Sequence, residues 1–172
     1  MSIRKLKNTT LSRKTDNSEK EVMGFPISSS ALVDLLEDVL GREVPFRFKA
    51  RGGSMTPFIR DGDVITIAPL SQQIAGLGSI VAFKRPETGS LVVHRIVAVS
   101  ENAVLIHGDN NPQNSDGWIP CEYLLGRVIE IKRDGRHVWL GLGLERYLIA
   151  FLSRKKWLTP VRSIVATVRG RK

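Results

Sequence analysis

The sequence has little of what several common protein classes depend on. Cys121 is the only cysteine, so an intramolecular disulfide is excluded and nothing indicates an oxidising compartment. The three histidines show no metal-ligand spacing and there is no cysteine pair, so no metal site is predicted. No glycine-rich phosphate loop is visible, and no cofactor is expected. We expect Cys121 to be a small buried residue, because its neighbours offer no base to activate a thiol.

Long hydrophobic runs are also missing. The apolar run at 138–152 contains Glu145 and Arg146 and is shorter than the roughly 20 apolar residues of a membrane-spanning helix. Residues 1–27 are polar, basic and non-periodic, which predicts a flexible arm rather than a secretory signal peptide. The sequence therefore predicts neither a transmembrane segment nor a signal peptide, and a location that is cytoplasmic or peripheral to a membrane.

Negative charge is scarce at both ends of the chain. The sequence holds 26 basic and 17 acidic residues, for a net charge of +9. Residues 1–20 contain six Lys or Arg, and residues 145–172 contain eight with a single acid, Glu145. Such basic ends suggest an anionic partner, or simply aid solubility. Few aromatic residues lie among the basic ones, which disfavours nucleic acid. We expect peripheral contact with an anionic membrane through 144–172.

Short strands dominate the middle of the chain. β-branched or alternating runs, separated by turn signals, occur at 46–49, 63–67, 79–83, 91–93, 103–106 and 127–131. A helix is predicted at about 30–40 from its apolar periodicity. The sequence therefore predicts a mainly β fold: an open, coiled sheet or partial barrel with one N-terminal helix and C-terminal helices.

The C-terminal stretch, 141–172, is predicted to be a basic amphipathic helical tail. One helical face is apolar, formed by Leu144, Tyr147, Leu148, Phe151 and Leu152. Thr159-Pro160 favours the start of a further helix. Trp157 beside basic residues is typical of an interfacial anchor, and packing of the apolar face on the sheet fits equally well.

Four residues occur in an order that suits nucleophilic catalysis. Ser54 is followed by His94, and then by Asp109 and Asp116. A serine attacks a carbonyl only when a base accepts its proton and a third group orients that base. A neutral histidine suits this role because histidine ordinarily titrates at about pH 6.5. A lone histidine in an apolar strand is also a common core residue, and Gly-Asp-Asn is good turn chemistry, so the residues alone leave these roles open.

Four sequence blocks resemble the signal peptidase I family, serine endopeptidases that share a fold with LexA-like self-cleaving repressors. They are GGSMTPFIRDGDVITIAP (52–69), GSIVAFKRP (78–86), VVHRIV (92–97) and HGDNNPQNSDGWIPCEYLLGRVIEI (107–131). Histidine in the third block resembles the archaeal and endoplasmic-reticulum branch, since bacterial enzymes usually carry lysine there. The resemblance implies a catalytic domain at 28–140 that cleaves a signal-like or leader peptide, with small residues preferred before the cut.

The resemblance also implies roles for individual residues. Ser54 would be the nucleophile and His94 the base. Asp116 is favoured over Asp109 as the third member, but the spacing of seven between them, where relatives commonly have six, leaves both as candidates. Gly52 stands where many bacterial relatives carry a serine that donates to the oxyanion.

Arg95 is expected to support the acidic loop, and Lys84 is an alternative base of the Ser-Lys type.

Three functions are compatible with these patterns. Signal peptidases normally carry a membrane-spanning helix, which is not predicted here. A LexA-like self-processing protein is therefore the first alternative to a leader-cleaving endopeptidase, although no helix-turn-helix is visible at 1–45. A non-catalytic basic module that binds lipid or nucleic acid is the second.

Overall fold

The computed structural model describes residues 29–70, 75–110 and 115–154. The predicted flexible arm, 1–27, and the predicted second C-terminal helix after Thr159 lie outside the described residues. Helix α1 (Ser29–Gly41) opens the described chain and helix α2 (Glu145–Arg154) closes it. Between them lie β1 (Phe46–Lys49), β2 (Val64–Ala68), β3 (Ile80–Lys84), β4 (Leu91–Val99), β5 (Ala103–His107), β6 (Ser115–Pro120), a 3₁₀ turn (Cys121–Tyr123), β7 (Leu124–Arg133) and β8 (Arg136–His137).

The strands form one antiparallel sheet over the described residues. The hydrogen-bonded order is β1-β2-β7-β3-β4-β5-β6, and β8 forms a hairpin with β7. Strand β7 therefore lies between β2 and β3, although it comes late in the chain. This arrangement confirms the predicted mainly β fold with an open sheet.

The core lies on both halves of this sheet. In the half of the core that contains α1, large fully buried side chains include Leu36, Ile65, Ile67 and Ile131, and the helix contacts strands β1, β4 and β7. The other half is filled by Val81, Phe83, Ile96, Ile106 and Ile119, from strands β3 to β6. Burial of such β-branched and aromatic side chains is the main stabilising contribution. Strands β3 and β4, which are central to the site, are thus fixed between two packed clusters.

Several local predictions were wrong. Strand β6 was not predicted, and β4 runs on to Val99 rather than ending at residue 93. After the Asp134-Gly135 turn, β8 pairs with β7 only at Arg136–His137. Cys121 is exposed in the 3₁₀ turn rather than buried, because that turn follows the end of β6 at the sheet edge.

Helix α2 packs on β4 with the face opposite to the apolar face noted in the sequence, for which packing and an interfacial role had both been left open. Its buried residues are Ile149, Ala150 and Ser153. Leu148 of the predicted apolar face is 61% exposed and Phe151 is 54% exposed. Both faces of the helix carry apolar residues, so periodicity alone did not decide which one packs. No helix in the described ranges is long and apolar enough to cross a membrane.

Candidate active site

Ser54 lies at the start of a tight turn between β1 and β2. Gly52, just before it, has φ = +86°, which glycine adopts without strain. The Gly52 amide donates to Asp61 Oδ1 at 2.8 Å, and the Thr56 amide donates to the Gly53 carbonyl at 3.2 Å. The next residue, Met55, is buried in the core under α1, while Ser54 itself is exposed. Met55 therefore holds the turn in the core, while the Ser54 side chain faces solvent.

His94 lies in the middle of β4, opposite Val81 of β3. Its side chain is 11% exposed. Its Nε2 atom lies 2.8 Å from Ser54 Oγ, and its Nδ1 atom lies 2.5 Å from Asp116 Oδ2. The structure thus brings together three of the four candidate residues, with the imidazole between the hydroxyl and the carboxylate.

Asp116 is held from two sides. One carboxylate oxygen contacts His94, and the other accepts a hydrogen bond from Arg85, which follows β3. Partial burial on its own raises the pKa of Asp116, but the hydrogen bonds and positive charges of His94 and Arg85 outweigh it. The pKa therefore lies below the ordinary value, and Asp116 stays ionised at neutral pH. Arg85 was not predicted as a site residue, because nothing in the sequence distinguishes it from other basic residues in turns.

Asp109 occupies a different position. Its carboxylate accepts hydrogen bonds from Arg95 Nε at 2.9 Å and Nη2 at 2.8 Å, and both side chains are fully buried. It makes no hydrogen bond to His94 among the described contacts. Burial raises the pKa of the Asp109 carboxyl above its ordinary value, although the hydrogen bonds and charge of Arg95 oppose this effect. Asp109 is thus a structural partner of Arg95, as the resemblance implied for Arg95, and does not contact the imidazole.

Arg95 joins the site to the C-terminal part of the described chain. Because successive strand residues point to opposite faces, Arg95 points away from Ser54 when His94 points toward it. Its Nη1 atom donates to the carbonyls of Gly78 and Gly141, at 2.8 and 2.9 Å. The same guanidinium lies 5.3 Å from the centre of the Phe58 ring. This buried cation therefore fixes the strand that carries the imidazole.

The loop after β5 closes on the serine turn. The Asn110 amide donates to the Ser54 carbonyl at 2.7 Å, and Asn110 Nδ2 donates to the Gly53 carbonyl at 2.8 Å. A Cβ atom at Gly108 would lie 3.0 Å from both His94 Nε2 and the Ser54 carbonyl oxygen. Glycine is needed here for close approach. Sequence reasoning treated this loop as turn chemistry and missed both contacts, which join residues distant in the chain.

Two cavities meet at Ser54 and His94. The larger, of about 510 Å³, is lined chiefly by apolar side chains of α1, β1 and β4 and of the serine turn, including Leu32, Phe48, Met55, Ile59, Leu91 and Val93. The smaller, of about 410 Å³, is polar and is bordered by Arg85, Glu87 and Asp116. An extended peptide across the serine would place apolar side chains on one side of the hydroxyl and meet polar groups on the other.

The remaining candidates lie elsewhere. Lys84 Nζ lies 3.4 Å from Glu37 Oε1 of α1, and it makes no hydrogen bond to Ser54 in the described structure. Cys121 is exposed in its 3₁₀ turn. Among the described residues, no group of three His, Cys, Asp or Glu side chains is arranged to hold a metal ion.

Comparison with known families places the chain. Residues 19–129 match the family model described as Peptidase S24-like. The chain belongs to the Peptidase S24-like family, within the LexA and signal peptidase superfamily. Members are serine peptidases or LexA-like self-cleaving proteins, and some are non-catalytic. No curated protein matches the chain.

Proposed function

We propose that the protein is a serine endopeptidase in which Ser54 is the nucleophile, His94 the general base and Asp116 the orienting carboxylate. The observation that carries this proposal is the series of contacts from Ser54 Oγ to His94 Nε2, 2.8 Å, and from His94 Nδ1 to Asp116, 2.5 Å. Hydrogen-bond reach between nucleophile and base, with a third group behind the base, is the geometry that activates a serine.

The reaction follows from these contacts. Neutral His94 carries its proton on Nδ1, donates it in a hydrogen bond to Asp116 and accepts the Ser54 proton on Nε2. Ser54 Oγ attacks the peptide carbonyl, and the imidazolium then protonates the leaving amine, which gives an acyl-enzyme. A water molecule, activated by the same imidazole, hydrolyses the ester and regenerates the serine. Asp116 stabilises the imidazolium because it remains ionised.

The oxyanion is stabilised by backbone in this proposal. The amide of Ser54 donates to no group among the described residues, so it is available to the carbonyl oxygen under attack. Gly52 has no hydroxyl to add a second donor. Loss of one such donor typically costs about 100- to 1000-fold in rate. The Asn110 contacts to Gly53 and Ser54 hold this backbone in place.

The substrate in this proposal is a leader or signal-like peptide in extended form. The apolar cavity of about 510 Å³ beside Ser54 accepts uncharged side chains. The histidine in place of lysine supports a likeness to the archaeal and endoplasmic-reticulum branch of signal peptidases.

A randomised peptide library tests this function. The wild-type protein is incubated with the library, and products are sequenced by mass spectrometry. We expect cleavage after small or apolar residues, with a loss of about 10⁴-fold or more in Ser54→Ala and in His94→Ala. Cys121→Ala and Lys84→Ala are matched controls and should cleave at the wild-type rate. Equal cleavage by wild type and Ser54→Ala would refute the proposal.

Self-cleavage is the second candidate function, because the matched family includes LexA-like proteins and the match begins at residue 19, before α1. In that case the wild-type chain shortens on incubation while Ser54→Ala does not. A rate independent of protein concentration identifies cleavage within one molecule. If the wild-type mass stays constant while library peptides are cut, cleavage in trans is the function.

A further inference from the structure

Helix α2 has two apolar faces, and only one of them is covered. Its inner face packs on β4 through Ile149, Ala150 and Ser153. On the outer face, Leu148 is 61% exposed and Phe151 is 54% exposed. An apolar stripe on a helix normally packs against another surface. The outer face therefore calls for a partner that the described residues do not supply.

The exposed apolar surface extends beyond the helix. In the segment that leads into α2, Trp139 is 77% exposed, Leu140 58% and Leu144 84%. We call the outer face the following six residues: Trp139, Leu140, Leu144, Tyr147, Leu148 and Phe151. Singly exposed apolar residues are common, but six large ones within residues 139–151 form an apolar group of the kind that marks an interaction site.

The charged residues on α2 and in the sequence directly after it are mostly positive. Arg146 and Arg154 lie on α2, and Lys155 and Lys156 follow in the sequence. Glu145 is the only acid at 145–172, and its carboxylate accepts hydrogen bonds from the amides of Gly141 and Gly143. Its negative charge is thereby held at the start of the helix, and the pKa of Glu145 lies below its ordinary value because of these backbone hydrogen bonds.

We propose that the outer face binds the surface of an anionic lipid bilayer. Leucine, phenylalanine and tryptophan beside arginine and lysine are the composition of helices that lie in a membrane interface. The apolar side chains enter the boundary between headgroups and acyl chains, and the basic residues contact anionic headgroups. This binding is independent of the catalytic proposal, since none of its residues touches Ser54 or His94.

Charge argues against a second copy of the chain as the partner. A symmetric dimer places the same patch against itself, so that Arg146 and Arg154 of both copies come together. Like charges opposed in an interface are unfavourable, and the carboxylate of Glu145, the acid on α2, is already bonded to backbone amides. An anionic bilayer supplies the opposite charge and an apolar layer at once.

Vesicle binding by the full-length protein tests the proposal. Sedimentation is compared for vesicles of phosphatidylcholine alone and with a third phosphatidylglycerol. We expect binding only to the anionic vesicles, and weaker binding as salt is raised. The variant Leu144→Glu/Leu148→Glu should bind about 30-fold or more weakly, because two largely exposed leucines no longer enter the lipid. Val44→Glu, at a site 51% exposed near α1, is the matched control and should bind normally.

Tryptophan quenching locates the contact. Trp118, 53% exposed on β6, and Trp139 are compared in variants that keep one of them and replace the other tryptophans with phenylalanine. Brominated lipids should quench Trp139 and leave Trp118 unchanged. The proposal is overturned by full binding of Leu144→Glu/Leu148→Glu, by equal binding to neutral vesicles, or by quenching of Trp118 alone. It is also overturned if ultracentrifugation shows a dimer that the leucine variant abolishes, because the partner is then a second copy.

Discussion

Replacement of Gly108 by alanine is expected to impair catalysis without unfolding the protein. The added Cβ would lie 3.0 Å from His94 Nε2, 3.0 Å from the Ser54 carbonyl oxygen and 3.3 Å from His94 Cε1. Ordinary contacts of a Cβ atom are 3.4–4 Å, so the neighbours must move by a few tenths of an ångström. The Ser54 carbonyl is tied to the Asn110 amide at 2.7 Å, and the imidazole is tied to Asp116.

The shift that the added Cβ requires therefore changes the distance between Ser54 Oγ and His94 Nε2, which is 2.8 Å. A misplacement of about 1 Å costs about 100-fold in rate, so a shift of a few tenths is expected to lower kcat by about tenfold. Overpacking of this kind typically costs about 1–3 kcal/mol of stability. We expect kcat to fall by more than KM changes, because Gly108 borders the smaller cavity but does not line the larger, apolar one.

Peptide hydrolysis and thermal unfolding check this expectation together. Gly76→Ala is the matched control, since a Cβ there meets nothing within 4 Å. It should keep both activity and melting temperature. If Gly108→Ala is folded and as active as Gly76→Ala, the close approach of this loop does not constrain the catalytic contact, and the reasoning is wrong.

Three further predictions concern charged residues. Arg85→Gln should raise the pKa of Asp116, measured by ¹³C NMR of the carboxyl carbon, because one of its two partners is lost; an unchanged pKa would show that Arg85 does not act on it. Asp109→Asn should destabilise the fold by about 3–5 kcal/mol in denaturant unfolding, because Arg95 is left buried and unpaired; a loss below about 1 kcal/mol would contradict this. Asp63 is buried, which on its own raises its pKa, but the hydrogen bond and charge of Arg133 outweigh this and lower the pKa in the folded state. The ionised carboxylate therefore stabilises the fold fully above the unfolded pKa of about 3.9, and this contribution is lost as the pH falls through the lower folded pKa. The difference in melting temperature between wild type and Asp63→Asn should therefore be large at pH 7 and shrink below about pH 4, whereas a constant difference would exclude this linkage.

The sequence pattern was sufficient for the fold class because strands and turns leave local signals. Runs such as 64–68 and 103–107 alternate or are β-branched, and turn residues separate them. Strand β6 was not predicted because its residues, Ser115 to Pro120, include a glycine and a proline, which disfavour strands. The exposed position of Cys121 follows from where β6 ends, which the local sequence does not show.

The site was only partly predictable, because its final member depends on register between distant strands. Both Asp109 and Asp116 fitted the linear order. In the structure, the pairing of β5 with β6 is irregular at His107, which lies opposite Ser115, and the following residue, Asp116, is the one that contacts His94. A spacing of seven residues does not encode that irregularity. In α2, the sequence left open whether the face of Leu148 and Phe151 packs on the sheet, and the structure buries the face of Ile149 and Ala150 instead.

Trapping of a covalent intermediate tests the central claim most directly. An intact peptide that the protein cleaves is mixed with it, and the reaction is quenched in acid. The protein is then digested and analysed by mass spectrometry. We predict that the N-terminal part of the peptide is attached to the fragment that contains Ser54, and that no adduct forms in Ser54→Ala. Product formation at the wild-type rate in Ser54→Ala, or an adduct on any other residue, would contradict the assignment of Ser54 as the nucleophile.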